Sequence, residues 1–472
     1  MTRSHRISLD GVLLALLGAS TALPAQDLRA PAADVRYAAR RDRAYARLGN
    51  DMLVIRSRWA TGHVAQPAFE QDPTFFYYTG ADRVLGAILI LDGKTRRAEL
   101  FLPHALPAVL GPIGETQPKP NAVKPEAYHA DAVADWNAFP RYLERRLRDD
   151  PRPTIRVDEN LAAGGLAGFT ETALDSLGTP GRPRSSWADA LRRRWPNVSI
   201  VEGAAFAADL RAVKDSVEIA ALRRAATNSV AALRAGMSRF APGRRQRDVE
   251  GAVVDACTRN AGDGPSFWPW AMSGPNAVFP TPFTSSVDMH NLDRVMRAGE
   301  IARLDVGCQV DHYMGDVGRT VPVSGKFTPD QAEVIDLLVA TYRAGLAVLR
   351  DGVADSTVIQ ASLAEARRLR PTMRTALGRR AAAVIAERDS VPYWQIHGIG
   401  LDIAERLPSV LRAGMVLDYE PIFAVGGQGF YMEDMILITP TGHEILTTGV
   451  PSSAAEIERA MRATGTPARS AR

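Results

Sequence analysis

Cysteine is almost absent, with Cys257 and Cys308 the two in 472 residues. Two cysteines make no disulfide framework, and neither has the CxxC spacing of a redox pair or zinc site. They read as two buried small hydrophobes, with a single bridge left open for an oxidising compartment. Apolar runs long enough to cross a bilayer are missing as well, so no membrane span is expected. Charge of one sign does not dominate: 57 Lys and Arg against 53 Asp and Glu leave a formal net charge of +4. Basic stretches such as Arg192-Arg193-Arg194 alternate with apolar residues at helical spacing, which marks solvated helix faces and not a nucleic-acid footprint. No aromatic–basic platform for single strands is present. Gly164, Gly165 and Gly168 are too sparse for a phosphate loop, and no repeat recurs at solenoid periods.

What remains is a large, ordinary globular composition: 46% hydrophobic and 23% charged residues. The length implies two or more domains. Residues 1–25 stand apart. Arg3, His5 and Arg6 precede a short apolar stretch, Val12-Leu-Leu-Ala-Leu-Leu-Gly-Ala, and then Leu23-Pro24-Ala25. This is the pattern of a secretory signal cleaved after Ala22 or Ala25. The mature chain is therefore expected to be exported, periplasmic or secreted, and cytoplasmic if that stretch is not a signal.

Along the rest, 32–48 reads as a helix. Met52-Leu-Val-Ile, Phe75-Phe-Tyr-Tyr, Val84 to Leu91 and Ala98 to Leu102 read as strands bounded by Gly, Pro and Asp. Pro140 to Leu147 is helical, Thr154 to Val157 a strand, and Trp187 to Arg194 a helix. The mixture predicts an α/β first domain over 30–212. The next domain, 213–455, opens on a capping box, Asp215-Ser-Val-Glu218, ahead of an apolar helical stripe. Asp248 to Asn260 continues as helix. Thr328-Pro329-Asp330-Gln331 is a further helix start, with Thr as cap and Pro in the first turn. Residues 456–472 read as a C-terminal tail.

The chemistry lies between 300 and 438. Asp305 and Asp316 are eleven residues apart, which on a straight strand is more than roughly 30 Å. A turn centred between Val310 and Asp311 would set them opposite each other, about 5 Å apart. Glu420 and Glu433 flank Gly426-Gly427-Gln428-Gly429, a strong hairpin signal that brings the two glutamates together. Both pairs sit in apolar strands, where a carboxylate is costly unless positive charge compensates. His397 lies between the hairpins. A lone histidine among apolar residues is usually a core residue, but four nearby strand carboxylates reverse that reading. Four carboxylates and one imidazole suit Mn²⁺, Co²⁺ or Zn²⁺. Two such ions roughly 3.5–4 Å apart would activate a water and polarise a carbonyl.

With these residues the sequence resembles the pita-bread metallopeptidases and, within them, the Xaa-Pro aminopeptidases (aminopeptidase P). The resemblance runs over roughly 35–450. It includes Gln71-Asp-Pro-Thr-Phe-Phe-Tyr-Tyr-Thr-Gly80, similar to a creatinase-like N-terminal domain, and the joining segment from Leu210 to Ala225. Ser273-Gly-Pro-Asn276 and Gly325-Lys-Phe-Thr-Pro-Asp-Gln331 also fit. The resemblance implies an α/β fold with a creatinase-like N-terminal domain followed by a pita-bread catalytic domain. It implies Asp316 and Glu433 as bridging ligands of two divalent ions, with Mn²⁺ the usual metal. Asp305 would complete one ion, His397 and Glu420 the other, and Glu420 would shuttle the proton of the activated water. The implied reaction is release of an N-terminal residue from a peptide whose second residue is proline. A homo-oligomer, dimer or tetramer, is implied too.

Departures from the pattern fall around the ligands. Auxiliary histidines of the family are replaced by Thr281, Tyr393 and Ala404, and His290 could substitute for one. A frequent arginine two residues before Glu433 is Tyr431 here. Trp270, in Phe267-Trp-Pro-Trp270, together with His290 and Tyr393, is a candidate for contact with substrate. An Xaa-Pro dipeptidase of the same fold is the nearest alternative, and a non-catalytic binder of metal or peptide another.

Overall fold

The computed structural model describes residues 35–58, 71–105, 116–149, 151–158, 187–260, 262–278, 293–387 and 394–464. The expected signal, Gly164, Gly165, Gly168, Thr281, His290, Tyr393 and the residues after 464 lie outside them.

The first sheet is built from β1 (Met52–Arg56), β2 (Ile88–Asp92), β3 (Arg97–Leu102), β4 (Ala132–Asp135), β5 (Ile155–Asp158) and β6 (Ile200–Glu202), in the order β4-β3-β2-β1-β5-β6. β1, β2 and β3 run antiparallel, and β4, β5 and β6 join by parallel pairing. Alternation of side chains splits β1 and β2 between two apolar layers. Met52, Val54, Ile88 and Ile90 pack with Phe139, Leu143 and Leu191 from helices Phe139–Arg146 and Trp187–Arg194. Leu53, Ile55, Leu89 and Leu91 pack on the other face with Ala44 and Leu48 of helix Val35–Leu48.

Two strand expectations change here. Phe75 to Tyr78 is helical, within Pro73–Thr79. The Asp72 carboxylate accepts from Phe75 N–H at 2.7 Å, Pro73 occupies the first turn, and Gly80 at φ 66° ends the helix. A cap, a first-turn proline and a left-handed glycine outweigh the strand preference of four aromatics. β2 starts at Ile88, so 84–87 precede the strand.

The capping box at Asp215 and Glu218 starts helix Ser216–Met237. It also fastens the first domain. The buried Arg40 of helix Val35–Leu48 donates from Nη2 to Asp215 Oδ2 at 2.7 Å and lies 3.3 Å from Glu218 Oε2. Tyr313 Oη donates to Glu218 Oε1 at 3.2 Å.

The second domain holds β7 (Gly264–Pro265), β8 (Trp270–Ser273), β9 (Ile301–Val306), β10 (Cys308–Val310), β11 (Tyr313–Met314), β12 (Val317–Pro322), β13 (Trp394–Gly398), β14 (Val416–Val425), β15 (Gln428–Ile438) and β16 (His443–Ile445). The larger sheet runs β13-β14-β15-β12-β9-β8, with β16 also on β15, and β11-β10-β7 form a smaller one. Every pairing in the larger sheet is antiparallel. One face is apolar. Leu304, Val306, Val317, Leu417, Tyr419, Phe430, Met432 and Ile436 share a core with helices Ser216–Met237, Gln246–Arg259, Pro329–Val348, Asp355–Leu369 and Ala376–Ala386. The opposite face carries Arg303, Asp305, Asp418, Glu420 and Glu433, one residue out of phase. Helix Pro329–Val348 begins at the expected Thr328–Gln331 capping box. Past residue 453 the chain forms helix Ala454–Thr464, and its Ile457 and Met461 join the same core.

Cys257 and Cys308 are bonded, with Cα atoms 5.2 Å apart. This replaces the reading of two separate hydrophobes. The bond depends on helix Gln246–Arg259 lying against β10, which spacing alone does not reveal. Closing a span of 51 residues restricts the unfolded chain and contributes about 4 kcal/mol in the chain-entropy account. Replacing both cysteines by alanine is expected to lower the melting temperature in non-reducing buffer. An unchanged melting temperature would contradict that role.

Candidate metal centre

Strand register lines up the polar face in two rows. In the first, Gly318 of β12 pairs with Asp305 on one side and Glu433 on the other. Glu420 continues this row, because Tyr419↔Asp434 and Ile422↔Tyr431 bracket it opposite Glu433. In the second row His397 pairs with Asp418, and Asp418 with Met435. Asp316 completes it, donating its N–H to Met435 Sδ at 3.4 Å.

The Glu420–Glu433 hairpin turns where the sequence places it, with Val425 opposite Gln428 and Gly426 and Gly427 at φ 60° and 74°. The other hairpin does not. Asp311 and His312 form its tip at φ 51° and 68°, with Val310 opposite Tyr313. Asp305 therefore faces Gly318 and not Asp316, which stands two residues away on the same strand path. Asp and His both tolerate the left-handed region, so a turn without glycine was available one residue further on. The two aspartates become diagonal neighbours, reached in part through the gap at Gly318. A Cβ at Gly318 would lie 1.9 Å from the Tyr431 ring.

One ligand atom each from Asp316, His397, Asp418 and Glu433 lie within 4.8 Å of one another. His397 Nε2 is 3.4 Å from Glu420 Oε1 and 3.9 Å from Glu433 Oε1. Its Nδ1 lies 3.1 Å from Gly398 O, a contact that directs Nε2 at the carboxylates. Asp305 accepts from Arg303 Nη2 at 2.7 Å. The Arg303 guanidinium lies 4.0 Å from the Tyr431 ring centroid, and Tyr431 Oη donates to Glu433 Oε2. A guanidinium thus reaches this wall from β9, although position 431 is tyrosine. Behind the sheet, Asp434 accepts from Arg319 Nη2 at 3.0 Å, Tyr342 Oη at 2.9 Å and Thr447 Oγ1 at 2.7 Å. Arg319 Nη1 also donates to Glu433 O at 2.6 Å, fixing the backbone at that glutamate.

Trp270 is half-buried on β8, opposite Asp305, with the Arg303 guanidinium 5.5 Å from its ring. Trp268 is exposed and donates to Glu250 Oε2 at 3.0 Å. Ala404 sits exposed in the turns after His397. His312 stands at the turn tip, and its ring packs 4.4 Å from Phe76 of the first domain. Asp418, Arg303 and Asp434 escaped the sequence reading. Asp418 was findable, since a residue two before Glu420 in a strand shares its face.

Burial pushes the carboxyls of Asp316, Asp418 and Glu433 well above the ordinary range, and neighbouring acidic groups add to it. Burial raises Asp305 too, against the opposing pull of Arg303. Burial disfavours a charged His397, but Glu420, Asp418 and Glu433 overcome that and hold it at about 10. At an effective dielectric of about 20, two unit charges 4.8 Å apart repel by about 3.5 kcal/mol. Asp316 Oδ1 and both Asp418 oxygens are buried without a hydrogen-bond partner. Such a donor set fits a divalent cation, which would neutralise the repulsion and occupy the unpaired oxygens.

These carboxyls keep their protons to higher pH folded than unfolded. In the metal-free chain their contribution to stability is complete below about pH 4 and is lost as pH rises through the raised folded values. His397 acts in the same direction, losing its contribution as pH rises through about 10. The metal-free melting temperature is expected to fall between pH 6 and pH 8, and added Mn²⁺ to restore more at pH 8. A metal-free melting temperature that rises over this interval would contradict the electrostatic account.

Residues 220–440 match the family described as "Metallopeptidase family M24", and 37–155 match "Aminopeptidase P, N-terminal domain". The Xaa-Pro aminopeptidase of Escherichia coli is 30% identical over 277 residues, 54% of this chain and 60% of that protein. The Xaa-Pro aminopeptidase of Haemophilus influenzae is 25% identical over 420 residues, 83% of this chain and 88% of that protein. Among solved structures, zinc-substituted E. coli aminopeptidase P in complex with product has a TM-score of 0.68 at 22% identity, covering 92% of this chain and 99% of that one. Proline aminopeptidase P II from Yersinia pestis gives 0.69 at 23%, covering 91% and 99%. These neighbours share the fold, a creatinase-like domain ahead of a pita-bread domain. Residues 220–440 thus form a metallopeptidase family M24 domain, preceded over 37–155 by an aminopeptidase P-type N-terminal domain.

Proposed function

We propose that this metallopeptidase is an aminopeptidase that releases the N-terminal residue of peptides with proline in second position. The observation that carries the reading is the gathering of Asp316, His397 and Glu433 within one ion's reach, with Glu420 beside His397 and Asp305 in the same row as Glu433. The named activity of the relatives agrees with it.

Asp305, Asp316, His397, Glu420 and Glu433 would hold two divalent ions, Mn²⁺ in the first instance and Co²⁺ or Zn²⁺ as alternatives. When bound, such a pair lowers the pKa of a water and polarises the scissile carbonyl. The remaining work falls to the chain. Glu433 lies between Asp305 and Glu420 in its row, Asp316 ends the neighbouring row, and these two acids would be shared by both ions. Asp305 would hold one ion, kept in orientation by Arg303. His397 and Glu420 would hold the other. Glu420, 8% exposed against 5% for Asp316, 4% for Asp305 and 1% for Glu433, is the most accessible of these acids and would take a proton from water and hand it to the leaving amine. Trp270 and Arg303 line the Asp305 end and are candidates to orient the peptide.

We further propose export to an oxidising compartment, supported by the Cys257–Cys308 bond, and assembly as a homo-oligomer. Among the described residues no helix is long and apolar enough to cross a membrane.

An Xaa-Pro-Xaa tripeptide should lose its first residue only when Mn²⁺ is restored to metal-stripped protein, and a matched peptide without proline should not be cut. Equal cleavage of both would overturn the proline preference. Cleavage confined to Xaa-Pro dipeptides would favour the dipeptidase reading. Asp316→Ala and Glu433→Ala should each lose metal and at least about a hundredfold in kcat/KM, and unchanged metal content in both would refute their placement. Ala404→His should leave activity intact, and a large loss would show that the Ala404 turn shapes the substrate wall.

A further inference from the structure

The five ligands assigned above leave one acid at the same centre without a task. Asp418 is 0% exposed, so it touches neither solvent nor a peptide in the opening. Both of its carboxylate oxygens are buried without a hydrogen-bond partner. Leaving a buried polar group unsatisfied costs on the order of 1–3 kcal/mol, and more for a charged one. The acid is flanked by His397 on one side and Met435 on the other. Neither neighbour is hydrogen-bonded to it: the Met435 sulfur accepts from the Asp316 N–H, and His397 Nδ1 contacts Gly398 O.

Geometry supplies what the hydrogen bonds do not. The ligand atoms of Asp316, His397, Asp418 and Glu433 all lie within 4.8 Å of one another. Atoms bound to one ion at roughly 2.0–2.4 Å are at most about 4.8 Å apart. Asp418 also shares its face of β14 with Glu420, two residues on, so the strand itself aims both acids at the same side. We propose that Asp418 is a direct ligand of the ion enclosed by Asp316, His397 and Glu433. The proposal rests on the reading of this face as a metal centre, and it adds a sixth protein ligand to that centre.

The extra carboxylate changes the balance of charge. Asp305, Asp316, Glu420 and Glu433 match two divalent ions charge for charge, and Asp418 makes the protein the more negative partner. An ion held from beneath by a carboxylate that solvent cannot reach is bound more tightly and released more slowly. The consequence is a centre that resists chelators at the His397 position and depends little on free metal.

The test compares full-length wild type with Asp418→Asn and Asp418→Ala. Each is stripped of metal and titrated with Mn²⁺ by calorimetry, and loss of bound metal to excess chelator is timed. Wild type should bind two ions. In both variants one ion should bind at least tenfold more weakly and leave at least tenfold faster, while the other is unchanged. The metal-free variants should melt no lower than metal-free wild type, because each removes a buried, unpartnered acid. Wild-type affinity and release rates in both variants would overturn the role of Asp418 alone. A metal-free variant that melts well below metal-free wild type would assign Asp418 to holding the fold, and would also overturn it. A wild-type chain that binds no Mn²⁺ would overturn this proposal together with the metal-centre reading beneath it.

Discussion

Repulsion among buried carboxyls is the constraint on which the second domain depends. Asp305, Asp316, Asp418, Glu420 and Glu433 stand on one face of a single antiparallel sheet, with His397 as the nearby base. Water would ordinarily hydrate such charges, and here burial removes it. Arg303 brings a permanent cation to this face, and among the described residues its hydrogen bond to a site acid goes to Asp305. Neutralising the rest needs protons or divalent ions. The surrounding architecture follows from keeping this face rigid against its own repulsion. Helices fill the opposite face with apolar packing. The Asp434 network ties Arg319, Tyr342 and Thr447 together behind Glu433. A disulfide pins β10 next to the Asp305 strand.

The first domain bears on the same site through its joints. Arg40 couples the N-terminal helix to the start of helix Ser216–Met237, and Tyr313 from the Asp305–Asp316 hairpin meets the same glutamate. His312, at the tip of that hairpin, packs against Phe76. The hairpin that positions two acids is therefore braced by residues some 235 positions away, which is a physical reason for the two domains to occur together.

Much of this was legible in the sequence, for reasons that differ element by element. Gly426-Gly427 leaves a backbone signal that few other structures use, so the Glu420–Glu433 register could be read directly. The Thr328 and Asp215 caps were legible because a capping box is local chemistry. The Asp305–Asp316 hairpin misled because its turn residues, Asp311 and His312, are tolerant of the left-handed region and not committed to it. Phe75 to Tyr78 misled because side-chain preference was weighed above the Asp72, Pro73 and Gly80 boundary signals. Arg303 and Asp434 were invisible because their roles arise from cross-strand and cross-layer contacts. Asp418 lies away from the hairpin midpoints, but strand parity puts it on the face of Glu420.

The metal centre turns on an exchange of protons held by Asp305, Asp316, Asp418, Glu433 and His397 for divalent ions. That exchange is tested most directly by titrating the metal-stripped full chain with Mn²⁺ calorimetrically at pH 7 in two buffers of different ionisation enthalpy. The account requires that binding release protons, because the carboxyls are raised and His397 sits at about 10. The apparent enthalpy should then differ between the buffers by at least the difference of their two ionisation enthalpies, one proton or more being released per protein. Binding with identical enthalpy in both buffers, or no binding, would contradict it.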